Sequence, residues 1–206
     1  MHSRVPMREE SQRGGTTLIG VWMCIAIVVA LAFTFDLASA LDRKASMAND
    51  LTAARDDTMS ASFQMRAKNS ESTGRAVADQ AAATLRANGY SGEITVWFYE
   101  APASDVPRSK RAYAWGMGMS EKSPALFGAL FTGTDGWTVS NVALAHSVPF
   151  TAGTCWRPSD SGNGRYTYPA GTEVGTPAYE RAATTADIPE EMRTELAQAV
   201  LEAKQQ

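Results

Sequence analysis

Leu18-Ile19-Gly20-Val21-Trp22-Met23-Cys24-Ile25-Ala26-Ile27-Val28-Val29-Ala30-Leu31-Ala32-Phe33 is the centre of an uncharged run of 22 residues, Gly14 to Phe35. At about 1.5 Å per residue such a run makes a helix of roughly 33 Å, enough for a hydrocarbon layer of about 30 Å. Arg13 and Asp36 bound it. A helix on the surface of a soluble protein needs a polar face, and this stretch has none. The run therefore predicts a membrane-spanning helix over 14–35, preceded by a cytoplasmic stub over 1–13. A cleaved secretory signal is the rival. Ala38-Ser39-Ala40 offers a small-x-small site, but signal cores are usually only about 7–15 residues long, and Asp36 precedes the site. A lipid anchor at Cys24 would place bulky Trp22 and Met23 where small residues are expected.

Working outward, the flanking charges set orientation weakly. Arg4, Arg8 and Arg13 precede the run; Arg43, Lys44 and Arg55 follow it. Arg13 abuts one end and Asp36 the other, which favours the N-terminus inside the cell and the C-terminal domain outside. The whole chain has 206 residues, 44% hydrophobic and 20% charged, with a net charge of -3, room for one domain or slightly more. Two cysteines exclude a disulfide-dense scaffold and a cysteine-rich zinc site, and two histidines leave little for a metal cluster. A pI near 5.5 without basic blocks argues against nucleic-acid binding.

Beyond Asp36 the chain stays helical in style. Leu37, Leu41, Ala45, Ala48 and Leu51 recur on one helix face, and no Gly or Pro occurs from Leu37 to Glu71. This predicts a helix over 37–68 that leaves the membrane unbroken, with Asp42, Arg43, Lys44, Asp50, Arg55, Asp56 and Asp57 on its solvated face, and ends at the polar break 69–74; with the helix that follows it makes a helical stalk over 36–90. A second helix over 73–88 presents Val77, Ala81 and Leu85 and stops at Gly89. The two are expected to fold on each other or on a sheet. Glu93-Ile94-Thr95-Val96-Trp97-Phe98-Tyr99 then alternates as a strand does. Residues 111–117 and 137–148 read as further strands, and Ser123-Pro124 as the start of a short helix to Phe131. Residues 155–158 and 165–168 read as a hairpin around a Gly-rich tip.

A linker over 169–186 precedes a C-terminal helix. Asp187-Ile188-Pro189-Glu190 resembles a capping box, and Met192, Leu196, Ala199, Val200 and Ala203 form one face, for docking on the sheet or on a partner. The fold class expected is α+β: a transmembrane helix continuing into a helical stalk, then a small antiparallel sheet head with a C-terminal helix. The mostly-β extracytoplasmic head spans 91–175, and the linker and C-terminal helix span 176–206. An apolar helix opening an α+β head is the layout of a pilin-like subunit.

The N-terminal half also carries a resemblance. Arg13-Gly14-Gly15-Thr16-Thr17-Leu18, the apolar run, Phe35-Asp36, and Leu41-Asp42-Arg43-Lys44-Ala45-Ser46-Met47-Ala48-Asn49-Asp50-Leu51-Thr52-Ala53-Ala54-Arg55 follow the order found in TadE/TadG-like proteins of the Tad (Flp) pilus system. Ala78 to Tyr90, ending Leu85-Arg86-Ala87-Asn88-Gly89-Tyr90 before a strand, is similar too. The resemblance covers about residues 12–100, and the order of its motifs is the specific part. It implies a single-pass, non-enzymatic component of pilus assembly, a minor pilin or accessory protein, whose partners are the membrane and other pilus subunits. Type IV-like prepilins are cut after a Gly and carry Glu five residues further on. A cut after Gly15 puts Gly20 there, and one after Gly14 puts Ile19, so the uncleaved, TadG-like version fits better. TadG-like chains often add a larger adhesive domain than this length can hold.

The enzymatic alternative is a membrane-anchored cysteine transpeptidase. Thr154-Cys155 resembles the sortase arrangement, in which a Cys thiolate works with a His base and an Arg. His146, with Arg157 or Arg165, is the available cast, but nine residues from His to Cys is far shorter than that family uses. A lone strand His is more often a satisfied structural residue. Adjacent carboxylates Asp56-Asp57 and Glu190-Glu191 point about 100° apart on a helix and do not converge. HExxH, GxSxG and phosphate-loop motifs do not occur. No catalytic, cofactor-binding or metal-binding residues are therefore assigned. The aromatics of the sheet region (Trp97, Tyr99, Tyr113, Trp115, Trp137, Trp156, Tyr166, Tyr168) suit either cross-strand packing or a partner or glycan surface. A third possibility is an anchored extracytoplasmic binding module unrelated to pili.

Overall fold

The computed structural model describes residues 13–106, 110–125, 127–128, 133, 136–148, 158 and 160–205. The fold is α+β, as expected: a long apolar N-terminal helix, further helices and a five-stranded antiparallel sheet. Helix α1 runs Arg13–Met59, α2 Ala61–Lys68, α3 Thr73–Ala87 and α4 Glu190–Gln205. The strands are β1 Glu93–Glu100, β2 Tyr113–Ser123, β3 Trp137–His146, β4 Gly164–Tyr168 and β5 Ala178–Arg181, in the spatial order β3-β2-β1-β4-β5. Two compact units result. The first 42 residues group with Lys122–Trp137, and Arg43–Glu121 groups with Thr138–Gln206.

In the larger unit the sheet is covered on both faces. Ile94, Val96 and Phe98 of β1 stand beside Met119, Met117 and Trp115 of β2 and beside Tyr168, Tyr166 and Gly164 of β4. All but Gly164 are at most 3% exposed. Against this face lie Met47, Leu51, Ala54 and Thr58 of α1 and Val77, Ala78, Ala81, Ala82 and Leu85 of α3, all buried. The alanines let α3 approach the sheet closely. Trp115 closes the layer, its indole N–H donating to the Thr58 hydroxyl at 3.1 Å. On the opposite face α4 docks through Met192, Leu196, Ala199 and Ala203 onto Tyr99, Ala112 and Ala114, with Trp97 and Leu144 alongside. Of the two fates expected for the C-terminal helix, the sheet is the one realised. Trp97 lies across Gly116 and Gly118, where an added Cβ at Gly118 would stand 3.1 Å from its ring. Trp97 and Tyr99 thus pack within the head and do not form an open aromatic surface.

Several expectations are corrected. Of the segment 36–90 expected as a helical stalk, the residues from Arg43 onward group with the unit that holds the sheet. Its buried stripe is Met47-Leu51-Ala54-Thr58, whereas Leu37 and Leu41 remain exposed. The long helix is not unbroken either. Ser60 leaves the helical conformation (ψ 138°), and its hydroxyl accepts from the Phe63 amide at 3.4 Å, capping α2. The presumed linker contains β5, an exposed edge strand with no apolar alternation to mark it. β4 pairs with β1 and β5; the other arm of the expected hairpin, 155–157, lies outside the described residues. The capping box is built by Thr184 and Asp187 around a short 3-10 turn, one turn earlier than expected. There the Thr184 amide holds the Asp187 carboxyl below its ordinary pKa.

One tight passage is a crossing of two glycines. The Gly74 amide donates to the Ser161 carbonyl at 2.8 Å, and a Cβ at Gly74 would stand 2.3 Å from the Gly162 carbonyl oxygen and 2.8 Å from the Phe98 ring. Gly162 itself has φ +77°, a region that L side chains rarely adopt. Overpacking of this kind costs about 1–3 kcal/mol. Gly74→Ala should lower the unfolding free energy of the detergent-solubilised chain by about that much in denaturant titration. Gly175→Ala, with nothing within 4 Å, should leave it unchanged.

Candidate functional site

The most distinctive functional feature is the surface of α1. Leu18, Ile19, Val21, Trp22, Met23, Ile25, Ile27, Val28, Leu31, Phe33 and Phe35 are each 47–66% exposed, whereas Ala32 is buried. The helix is long and apolar enough to cross a membrane, with a mean hydropathy of 2.6 over its best window. It is therefore a membrane anchor or a signal-type segment. The polar groups within it are satisfied locally, as lipid requires. The Thr34 hydroxyl donates back to the Leu31 carbonyl at 2.8 Å and lies 3.1 Å from that of Ala30. Ala38-Ser39-Ala40, the possible processing site, sits inside the continuous helix. Asp36 is only 2% exposed. Its Oδ2 accepts the backbone N–H of Phe127 at 2.9 Å and of Gly128 at 2.7 Å.

The head is organised around a buried charged node. Glu100 continues the row Ile94-Val96-Phe98, yet it is a carboxylate only 4% exposed. Arg111, 1% exposed, forms a two-pronged ion pair with it, Nε to Oε1 at 2.6 Å and a second bond from Nη2 to Oε2. The same guanidinium donates to the Thr73 hydroxyl at 2.8 Å, to the Ser161 hydroxyl at 3.4 Å and to the Lys68 carbonyl. The Lys68 ammonium, also buried, donates to the Val148 carbonyl at 2.9 Å and lies 5.8 Å from the Tyr113 ring centroid. One cation thus joins the end of α2, the start of α3, β1 and the approach to β4. A second device is Arg86, whose guanidinium serves the carbonyls of Tyr90, Gly92 and Pro169 at 2.7–2.8 Å. Burial lowers the pKa of Arg86. Burial also pushes up the hydroxyls of Tyr166 and Tyr168. Asp79, which accepts from Tyr168 at 2.6 Å, adds to the Tyr168 shift.

The residues cast for thiol chemistry are placed as follows. Cys155 and Arg157 lie outside the described residues. His146 on β3 is engaged by α4: Nδ1 is 2.7 Å from Glu195 and Nε2 is 3.5 Å from Glu202. Arg165 on β4 pairs with Glu180 at 2.6 Å. Strands β2 and β1 separate the two, a spacing of about 14 Å at the usual strand repeat. His146 is a clamp between sheet and C-terminal helix. Asp57 is likewise structural, accepting from Gln80 and Thr84 of α3 at 2.7 Å each. Among the described residues no group of three or more His, Cys, Asp or Glu is arranged to hold a metal ion. No family model, curated protein or solved structure matches the chain.

Sequence reasoning missed the Arg111–Glu100 node. Its one local signal was a carboxylate at the position where the apolar alternation of β1 should continue. Breaking such a pair from one side costs about 3–5 kcal/mol, because the other charge stays buried. Arg111→Met should therefore destabilise the head by about that amount in tryptophan-monitored denaturation, and Arg111→Met with Glu100→Met should recover most of the loss.

Proposed function

We propose that this chain is a non-enzymatic, single-pass membrane component of a Tad/Flp-type pilus assembly, acting as a minor pilin or accessory subunit. The N-terminus lies in the cytoplasm and the head outside. α1 stays uncleaved in the membrane, since neither Gly14 nor Gly15 is followed at the fifth position by Glu. The partners are the lipid bilayer and other pilus subunits.

The observation that carries this reading is the continuity of α1. One helix has a bare apolar surface in its first half and the buried stripe Met47-Leu51-Ala54-Thr58 in its second. The first half suits a membrane or filament core, and the second half is part of a folded head. The order of motifs from Arg13 to Arg55 supports the assignment to the Tad type. The engagement of His146 by two glutamates favours a contact-making head over a catalytic one.

The test is deletion in the host with electron microscopy of surface filaments. Loss of pili on deletion, restored equally by the wild-type chain and by Cys155→Ala, supports the reading. Unchanged pili contradict it. Restoration by the wild type but not by Cys155→Ala points to thiol chemistry instead.

A further inference from the structure

The connection between β2 and β3 is unusual for a strand-to-strand loop. From Ser123 to Thr134 it carries no charge, and it contains the sequence Ala125-Leu126-Phe127-Gly128-Ala129-Leu130-Phe131. Connecting segments ordinarily face water, which solvates their backbone and favours polar side chains. Here Lys122–Trp137 groups with the apolar part of α1 in the smaller compact unit. Phe127 meets Phe35 edge to face at 6.2 Å between centroids, and Trp137 meets Phe33 in the same manner at 6.2 Å. Phe127 also closes two apolar clefts along α1, one lined by Val28, Leu31 and Ala32, the other by Ile25, Val29 and Phe33.

Two backbone donors of this junction are satisfied by one carboxylate. The Phe127 and Gly128 amides both donate to Asp36, which is itself almost fully covered. Backbone donors left open at this depth would cost several kcal/mol each in hydrocarbon. By contrast Phe127 and Trp137 remain 38% and 40% exposed, next to the more exposed Phe33 and Phe35. An arrangement with satisfied amides and uncovered aromatic faces, continuous with a membrane-spanning surface, suits the boundary of a bilayer.

We propose that Phe127, with Gly128, and Trp137 form a second membrane contact of the chain. It places Phe127 and Trp137 among the acyl chains of the leaflet at the Asp36 end of α1, with Asp36 as its latch. Lipid acyl chains fill the two clefts. The proposal rests on α1 being embedded in the membrane, and it adds a lipid contact made by the loop.

The test uses the full-length chain carrying Cys24→Ala and Cys155→Ala, reconstituted in phosphatidylcholine–phosphatidylglycerol vesicles. A polarity-sensitive fluorophore is attached through Phe127→Cys, and in a parallel sample through Trp137→Cys, so that one misfolded variant does not decide the outcome. Val28→Cys reports on α1, and Gln198→Cys on the exposed side of α4. The expected result is blue-shifted emission from both loop probes, quenched by lipids nitroxide-labelled near the headgroup and insensitive to aqueous iodide. The Val28 probe should be quenched by lipid and the Gln198 probe by iodide. If iodide quenches both loop probes while the Val28 probe stays in lipid, the loop contact is overturned and the membrane reading stands. If iodide quenches the Val28 probe as well, both fall. Loop probes shielded from iodide and from lipid nitroxide alike would mean that a second copy of the chain covers the loop, which also overturns the proposal.

Discussion

The first half of α1 cannot be left in water, and the rest of the molecule is arranged around that constraint. Thirteen large apolar side chains between Leu18 and Leu41 are 46–66% exposed. Burying a side chain of this kind stabilises by about 1.5–3 kcal/mol, so covering the exposed halves is worth on the order of 15 kcal/mol. That matches or exceeds the roughly 5–15 kcal/mol that holds a whole domain folded. Such a surface fits a membrane anchor or a signal-type segment. The second half of α1, to Met59, belongs instead to the unit that holds the sheet.

The head answers a different problem, that of fastening helices to both faces of a thin sheet. Apolar packing supplies the bulk, with Trp115, Phe98 and Leu85 on one side and Met192 and Leu196 on the other. Polar anchors then fix the register of the layers. Arg111 reaches Glu100, Thr73, Ser161 and the end of α2; Arg86 collects three carbonyls; His146 holds α4 between Glu195 and Glu202. Each joins segments far apart in the chain, which is what a head built from short elements needs if it is to keep one arrangement.

The elements legible in the sequence were those marked by periodicity over several residues. The uncharged run, the alternation of Ile94, Val96 and Phe98, the stop at Gly89 and the stripe of α4 all belong to this class. Short or fully exposed elements escaped, because their residues carry no burial pattern. β5 is exposed throughout, and Ser60 ends α1 by capping α2, a role that a serine within a helical run does not advertise. Pairings across long separations were equally hidden. His146 reads as a lone histidine until α4 brings Glu195 from 49 residues away. The short helix expected from Ser123 to Phe131 falls mostly outside the described residues, and nothing local reveals that Phe127 meets Phe35.

The central claim is that α1 remains in the membrane as part of the intact chain. Alkaline carbonate extraction of host membranes, followed by blotting with an antibody to the C-terminal head, tests it most directly. The account predicts that the head is retained in the membrane pellet in a band that still carries α1. A shorter band in the supernatant, beginning after Ala40 on N-terminal sequencing, would contradict it.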